Sequence, residues 1–378
     1  TLKDGKLVQK NQNTIQMNDE TFPEELIGFT SSTGGWIGFG DGCIQICPPA
    51  EPTTLPEGAV VGEKSMGYSL LHVRDVELNN ATLLKYAEVG DEIYISNPSA
   101  QTPQWIKGTI DREKGTATFL RQYLGIDSES GYAVWFIPAE YDKYIDVLNE
   151  ETGFGDWFRN YKAIDKLVLD YANGACTSHK GQAICFSHSP ETILLTGVYA
   201  DPLIKDYSPK SATPAPVTFT KFEPMDDWWG FGVIGFAIPN MDKDGVYIQP
   251  DELYYNVFPD DSTTPFVFSP DDYYDMQVEP MTDVPNGYYE DFDFRVSGIN
   301  HTVYFYHDWK KVGVQVVQKH DGEETRSDIV YTDSTGGVPS IATDSHDIRR
   351  TYKYFENGKV IIVHDGIKYN ILGQPVNE

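Results

Sequence analysis

The sequence predicts an all-β protein with tandem β-sandwich domains, and three observations carry that prediction. Glycine and proline are abundant, at 33 and 23 residues, so turn signals punctuate the chain throughout. Short aromatic or β-branched stretches recur between those turn clusters, as strands do. Helical periodicity is confined to AEYDKYIDVLNEE at 139–151, where Tyr141, Tyr144 and Leu148 share one helical face and predict a short helix.

Taken in order, residues 1–58 predict an N-terminal β segment that ends in PPAEPTTLPEG, a linker with four prolines and no periodicity. A first β-sandwich follows at 59–208, with strands at MGYSLLHV, DEIYIS, QWIKGTI, TATFLRQYL, GYAVWFI, KLVLDY, AICFSHS and ETILLTGVY. In QWIKGTIDREKGTATFL two alternating runs flank a polar DREKG, which predicts a hairpin. The Pro/Ser/Ala-rich SPKSATPAPVT at 208–218 is a second joint. Beyond it GFGVIGFAI, ELYYNVF, TPFVFS, DFDFRVSG, TVYFYH, KVGVQVVQK and TRSDIVYTD predict an immunoglobulin or fibronectin-III-like sandwich at 213–334. A small β-rich segment at 335–378, with NG and DG turns, ends the chain.

Charge narrows the partners. Lys plus Arg number 29 against 57 Asp plus Glu, a formal charge of -28. Such a surface repels phosphate backbones and anionic lipid, which argues against nucleic-acid binding. The 7 Trp, 24 Tyr and 19 Phe exclude a wholly disordered acidic chain. No apolar run approaches the roughly 18 residues of a transmembrane segment. The polar opening TLKDGKLVQKNQNTIQMNDE is that expected of a mature chain without its leader, and a cytoplasmic protein would look the same.

Four cysteines allow three pairings. Cys43 and Cys47 in GCIQIC fall on one strand face about 13 Å apart, too far to bond each other. If Lys180-Gly181 is a two-residue turn, Cys176 falls opposite Cys185 in a close cross-strand pair, so a disulfide there competes with two buried thiols. His179 and His188 add a zinc-like spacing to the same cysteines, but in that hairpin the histidines face the opposite side of the sheet.

Two further motifs carry chemistry. Asn240, Asp242 and Asp244, followed by Gly245 and by Asp251 at the twelfth position, nearly fit the calcium-loop pattern, making Ca²⁺ the one candidate cofactor. An Asx-rich turn explains the same letters. WIGFG at 36–40 is echoed by WWGFG at 228–232. Trp228 and Trp229, after Asp226 and Asp227, are the candidate glycan platform: indole faces stack on sugar rings while carboxylates accept hydroxyls. The competing use of these tryptophans is core packing, since adjacent strand residues face opposite ways. There is no G-x-S-x-G, no H-E-x-x-H and no Walker loop.

DEIYISNPSAQTPQWIKGTIDREKGTATFLRQYLG resembles a β-domain of secreted multi-domain proteins of gut Bacteroidales, with their W-x-K-G-T hairpin and Q-Y-L-G stretch. IPNMDKDGVYIQPDELYYNVFPDDSTTPFVFSPDDY, with KKVGVQVVQKHDGEETRSDIVY, is similar to the fibronectin-III-like module that comes after it in that group. The closing KVIIVHDGIKYNILGQPV is similar to the YNxLGQ strand of type IX secretion signals, with too few residues after LGQ for a full signal. The resemblance spans roughly residues 60–378, implies an exported protein at the cell surface or outside it, and brings no catalytic residues. The function expected is non-catalytic binding or adhesion directed at glycan or glycoprotein. Its alternatives are a carbohydrate-active hydrolase using paired carboxylates, and a structural spacer.

Overall fold

The computed structural model describes residues 51–70, 78–100, 102–127, 133–148, 155–187, 197–225, 228, 230–273 and 279–333, together with strand segments in 1–41 and 351–369. The protein is all-β. Among the described residues no helix is long and apolar enough to cross a membrane.

Within residues 1–50 strands pair locally: β1 (Leu2–Lys3) with β2 (Lys6–Leu7), β3 (Gln16–Met17) with β4 (Glu20–Thr21), and β5 (Leu26–Thr30) with β6 (Trp36–Asp41). The Pro-rich stretch after them is tied to the next unit of the chain, since Trp105 donates its backbone N–H to the Thr53 carbonyl at 3.4 Å.

Residues 62–206 form one 12-stranded antiparallel sheet. Its strands are β7 (Gly62–Leu70), β8 (Leu78–Val89), β9 (Glu92–Ser96), β10 (Trp105–Asp111), β11 (Thr116–Leu120), β12 (Gln122–Ile126), β13 (Ala133–Leu148), β14 (Gly155–Ala163), β15 (Lys166–Ala172), β16 (Ala175–Thr177), β17 (Gln182–Ser187) and β18 (Val198–Asp206). Eight of them close on themselves in the order β7-β8-β9-β10-β11-β15-β16-β18, because β18 pairs back onto β7 from Tyr199↔Leu70 to Asp206↔Lys64. This closure differs from the two-sheet sandwich that the sequence predicts for 59–208. Closing the ring leaves it no free edge. Its interior is filled by Met66, Leu84, Ile93, Ile106, Phe119, Leu167, Leu169 and Ile204. A Cβ at Gly108 would stand 2.8 Å from the Phe119 ring, so the glycine is what lets that ring lie flat on β10.

The helix predicted over 139–151 is instead strand through Leu148. β13 continues from Ala133 and pairs with β14, Glu140↔Lys162 and Tyr141↔Tyr161 among its partners. The Tyr/Leu spacing fits either period over so short a run, and cross-strand pairing, including the edge-on Tyr141 and Tyr161 rings at 6.2 Å, decides the outcome.

A polar network rims the ring interior. Tyr86, Tyr171 and Arg112 all donate to the Glu88 carboxylate. Desolvation pushes the Glu88 carboxyl up, but those hydrogen bonds outweigh it and hold the group below its usual range.

Residues 218–333 form two antiparallel sheets. β19 (Thr218–Glu223), β20 (Gly232–Ala237), β24 (Asn300–Phe305) and β23 (Phe294–Ser297) lie in that order in the first. In the second, β22 (Val284–Pro285), β21 (Leu253–Pro259) and β25 (Lys311–His320) lie side by side, and β26 (Glu323–Arg326) and β27 (Val330–Asp333) both pair with β25. Phe219, Ile234, Phe236 and Phe305 of the first sheet share one apolar cluster with Tyr255, Val257, Val314 and Val316 of the second. The 208–218 joint is pinned and not free: Gln318 accepts the Ala212 N–H at 2.7 Å and donates to the Lys210 carbonyl at 3.1 Å. A last sheet of β28 (Thr351–Glu356), β29 (Lys359–His364) and β30 (Ile367–Tyr369) lies near the chain end.

The ring and the two-sheet unit touch along β7, β8 and β18. Ser65 Oγ accepts the Tyr247 N–H at 2.8 Å, Asn80 Oδ1 accepts the Asn240 N–H at 2.9 Å, and Lys205 Nζ donates to the Asp244 carbonyl at 2.6 Å. Leu70 and Leu78 of the ring pack with Ala237 and Ile299 of the two-sheet unit.

Candidate functional site

The loop between β19 and β20 carries the WWGFG motif, and its two glycines are structural. Gly230 turns the chain at φ +73°, a conformation that costs glycine least. Gly232 lies against the core: a Cβ there would stand 2.2 Å from the Phe305 ring and 2.8 Å from the Glu223 carbonyl. With the backbone so placed, Trp228 stands 86% exposed. Asp226, Asp227 and Trp229 lie outside the described residues.

Phe231, between the two glycines, joins an aromatic group on the outer face of the first sheet. Along β24 His301, Val303 and Phe305 point into the core while Tyr304 and, just beyond the strand, Tyr306 point away from it. Phe231 meets Tyr304 and Phe292 edge-on, with centroids 5.3 and 5.9 Å apart. Phe292 and Tyr304 lie tilted by 33° at 4.7 Å. The Arg295 guanidinium, on β23, sits 5.7 Å from the Phe292 centroid and 5.5 Å from that of Tyr304. Cation–π attraction of this kind holds a flexible arginine flat on rings and keeps its N–H donors at the surface. Tyr306 donates to Asp293 at 2.6 Å, fixing the next ring along the strand. Phe292, 42% exposed, and Tyr289, 56% exposed, extend the apolar surface outward. Chemically this is a rigid apolar face edged by hydroxyl and guanidinium donors, suited to a ligand with one apolar face and a hydroxylated rim.

The expected calcium loop is put to another use. Asp242 is buried, and its Oδ1 accepts the backbone N–H groups of Asp244 and Val246, both at 2.9 Å. That is an Asx turn, the alternative reading of the letters. Asp251 sits in a 3-10 turn at Pro250–Glu252. Among the described residues no group of three or more His, Cys, Asp or Glu side chains is placed to hold a metal ion. The segment from Asn240 through Tyr247 docks the second unit on the ring, through Asn80, Lys205 and Ser65.

Cys176 and Cys185 are free and buried, which corrects the disulfide expectation. The 179–182 turn forms as predicted, with the Gln182 N–H on the His179 carbonyl at 3.1 Å. Its two arms do not pair with each other. β16 and β17 each pair with β18, Cys176 opposite Ile204 and Cys185 opposite Val198. Six positions along β18 separate the thiols by roughly 20 Å, far beyond disulfide reach. Burial pushes both thiols up to about 12 and leaves them unreactive. His188, Cys43 and Cys47 lie outside the described residues. WIGFG at 36–40 falls on β6, and nothing of its side chains is described.

Sequence reasoning finds Trp228 and misses Phe231, Phe292, Tyr304 and Arg295. Alternation along TVYFYH places Tyr304 and Tyr306 on one face in principle. Which face is outward depends on the second sheet. No family model matches the chain, and no curated protein or solved structure matches it either.

Proposed function

We propose that the protein is an exported, non-catalytic binding module that recognises glycan or glycoprotein through the aromatic face of its second unit. The observation that carries this reading is the outward group of Phe231, Phe292, Tyr304 and Arg295, with the exposed Trp228 three residues before Phe231 in the chain. Rings that pack on their own core need no second set on the solvent side of the same sheet, and an exposed cluster of this kind marks an interaction surface. We read the unit carrying it as a fibronectin-III-like sandwich. The strand order β19-β20-β24-β23 against β22-β21-β25 with β26 and β27 supports that reading, since it matches the A-B-E-D and C-F-G pattern of immunoglobulin-like domains. The resemblance to secreted Bacteroidales proteins supports placement at the cell surface or beyond it.

The test is binding of the purified chain to a glycan and mucin array, in calcium and again in chelator. Binding that disappears in Trp228→Ala and Phe292→Ala, with the melting temperature unchanged, is the expected result. A blank array in both buffers overturns the proposal and leaves the spacer role.

A further inference from the structure

The junction between the ring and the second unit holds a groove of ≈ 430 Å³, within the roughly 300–1,000 Å³ of small-ligand clefts. It opens where Leu70 of β7 and Asn80 of β8 lie near the β23–β24 turn at Ser297–Asn300. Four asparagines line it, Asn80, Asn240, Asn286 and Asn300, above an apolar floor that includes Leu70 and Ile299. Among the described lining residues none is ionisable, in a chain that carries a formal charge of -28.

The groove is built, and it is incompletely satisfied. Asn80 spans the junction: its Oδ1 accepts the Asn240 N–H at 2.9 Å while its Nδ2 donates to the Tyr68 hydroxyl at 3.1 Å. Asn286 is 6% exposed. The Oδ1 atoms of Asn240 and Asn286 are both buried with no hydrogen-bond partner. An orphaned buried acceptor costs about 1–3 kcal/mol, and two at the wall of one groove point to a ligand. Amide χ2 profiles are broad, so a modest rotation turns either end of an asparagine toward a guest.

We infer that this groove is a second ligand site, separate from the aromatic face, for a neutral polyhydroxylated molecule, namely a short uncharged saccharide. Amides donate to and accept from hydroxyls alike, Leu70 and Ile299 meet the apolar face of a pyranose ring, and none of the described lining residues offers a charged ligand a counter-charge. The site needs both units in place. The contacts of Ser65 with Tyr247 and of Lys205 with Asp244 hold them there.

Saturation-transfer NMR on the whole chain tests it, with cellotriose, maltotriose and N-acetyllactosamine as neutral probes and sialyllactose as the charged control. Ser297, exposed on the rim, is changed to Trp to block the groove, and the exposed Asn300 is changed to Ala as a milder second variant. The inference expects a neutral sugar to bind, to survive Trp228→Ala, and to weaken about tenfold or more in Ser297→Trp and Asn300→Ala, as loss of a hydrogen bond inside a cleft does. It is overturned if no neutral probe binds, if only the charged sugar does, or if binding is lost with Trp228 and ignores Ser297. The last outcome leaves the aromatic face intact as a site, so the two proposals fail separately.

Discussion

The ring and the two-sheet unit use their strands differently. On β15 of the ring, Leu167, Leu169 and Tyr171 point inward while Lys166 and Asp170 face solvent, the ordinary apolar-in, charged-out alternation. On β24 of the second unit the inward positions are His301, Val303 and Phe305, and the outward ones include Tyr304, which stacks with Phe292 under Arg295. On β15 the one aromatic ring, Tyr171, lies on the inner side, whereas β24 keeps rings on both sides of its sheet. Folding explains the inner set only. The groove lies where this unit meets the ring.

The two units are expected to differ most at their close backbone approaches. Gly232→Val forces a side chain into Phe305 and the Glu223 carbonyl, and we expect a loss of about 3 kcal/mol or more. Gly108→Ala in the ring meets the Phe119 ring at 2.8 Å and Ile93 at 2.9 Å. Those are side chains that can shift, so its cost is expected to be smaller. Denaturant unfolding of both variants ranks them, and a costlier Gly108→Ala reverses the comparison.

Acid separates the units next. His301 is 2% exposed, stacks on Phe236 at 5.3 Å, and has neither ring nitrogen hydrogen-bonded. Burial lowers it from 6.5 to about 4. The unfolded chain therefore takes up this proton first. The neutral ring's contribution is complete above pH 6.5 and is lost as pH falls toward 4. A shift of that size corresponds to about 3 kcal/mol. Stability of His301→Phe relative to the parent should climb by up to that amount across the window. A flat difference rejects it.

The docking turn gives a smaller effect. Asp242→Ala removes the acceptor of two backbone N–H groups and should cost about 1–2 kcal/mol, while Asp242→Asn, which keeps an oxygen there, should cost less. A calcium site would respond to both changes and would raise the melting temperature on adding Ca²⁺, so melts of the three proteins with and without the ion distinguish the two roles. The smallest effect on stability is that of Trp228→Ala, within about 0.5 kcal/mol, despite its expected loss of glycan binding. Cys176 and Cys185, in a chain with Cys43 and Cys47 changed to Ser, should label with a thiol reagent only after unfolding. Labelling in the native state would contradict their burial.

Much of the fold is legible in the letters. The turn-rich composition announces an all-β chain, the QWIKGTIDREKGTATFL hairpin forms as β10 and β11 with Gly108↔Phe119 and Thr109↔Thr118 paired, and WWGFG marks an exposed tryptophan. The helix expected over 139–151 gives way to strand because three residues on a helical face are too few to outweigh a partner strand. The 176/185 pairing fails because a correct turn does not guarantee that its arms stay together. The aromatic face is half legible: Trp228 and Phe231 are near neighbours in the chain, but Phe292 with Arg295, and Tyr304, come from two distant stretches.

What depends on near neighbours is written in the chain itself: strands by alternation, turns by glycine, proline and Asx residues, and a formal charge of -28. Which strands pair across long separations is set by the three-dimensional packing. Closing β18 on β7 joins residues more than a hundred positions apart, splits β16 from β17, and parts the two cysteines. Packing the second sheet against the first turned Tyr304 outward and His301 inward, and docking the Asp242 turn on the ring made the asparagine groove. Period-two alternation states that two faces differ. Which of them is buried is fixed by contacts between distant segments, and local spacing carries no record of those.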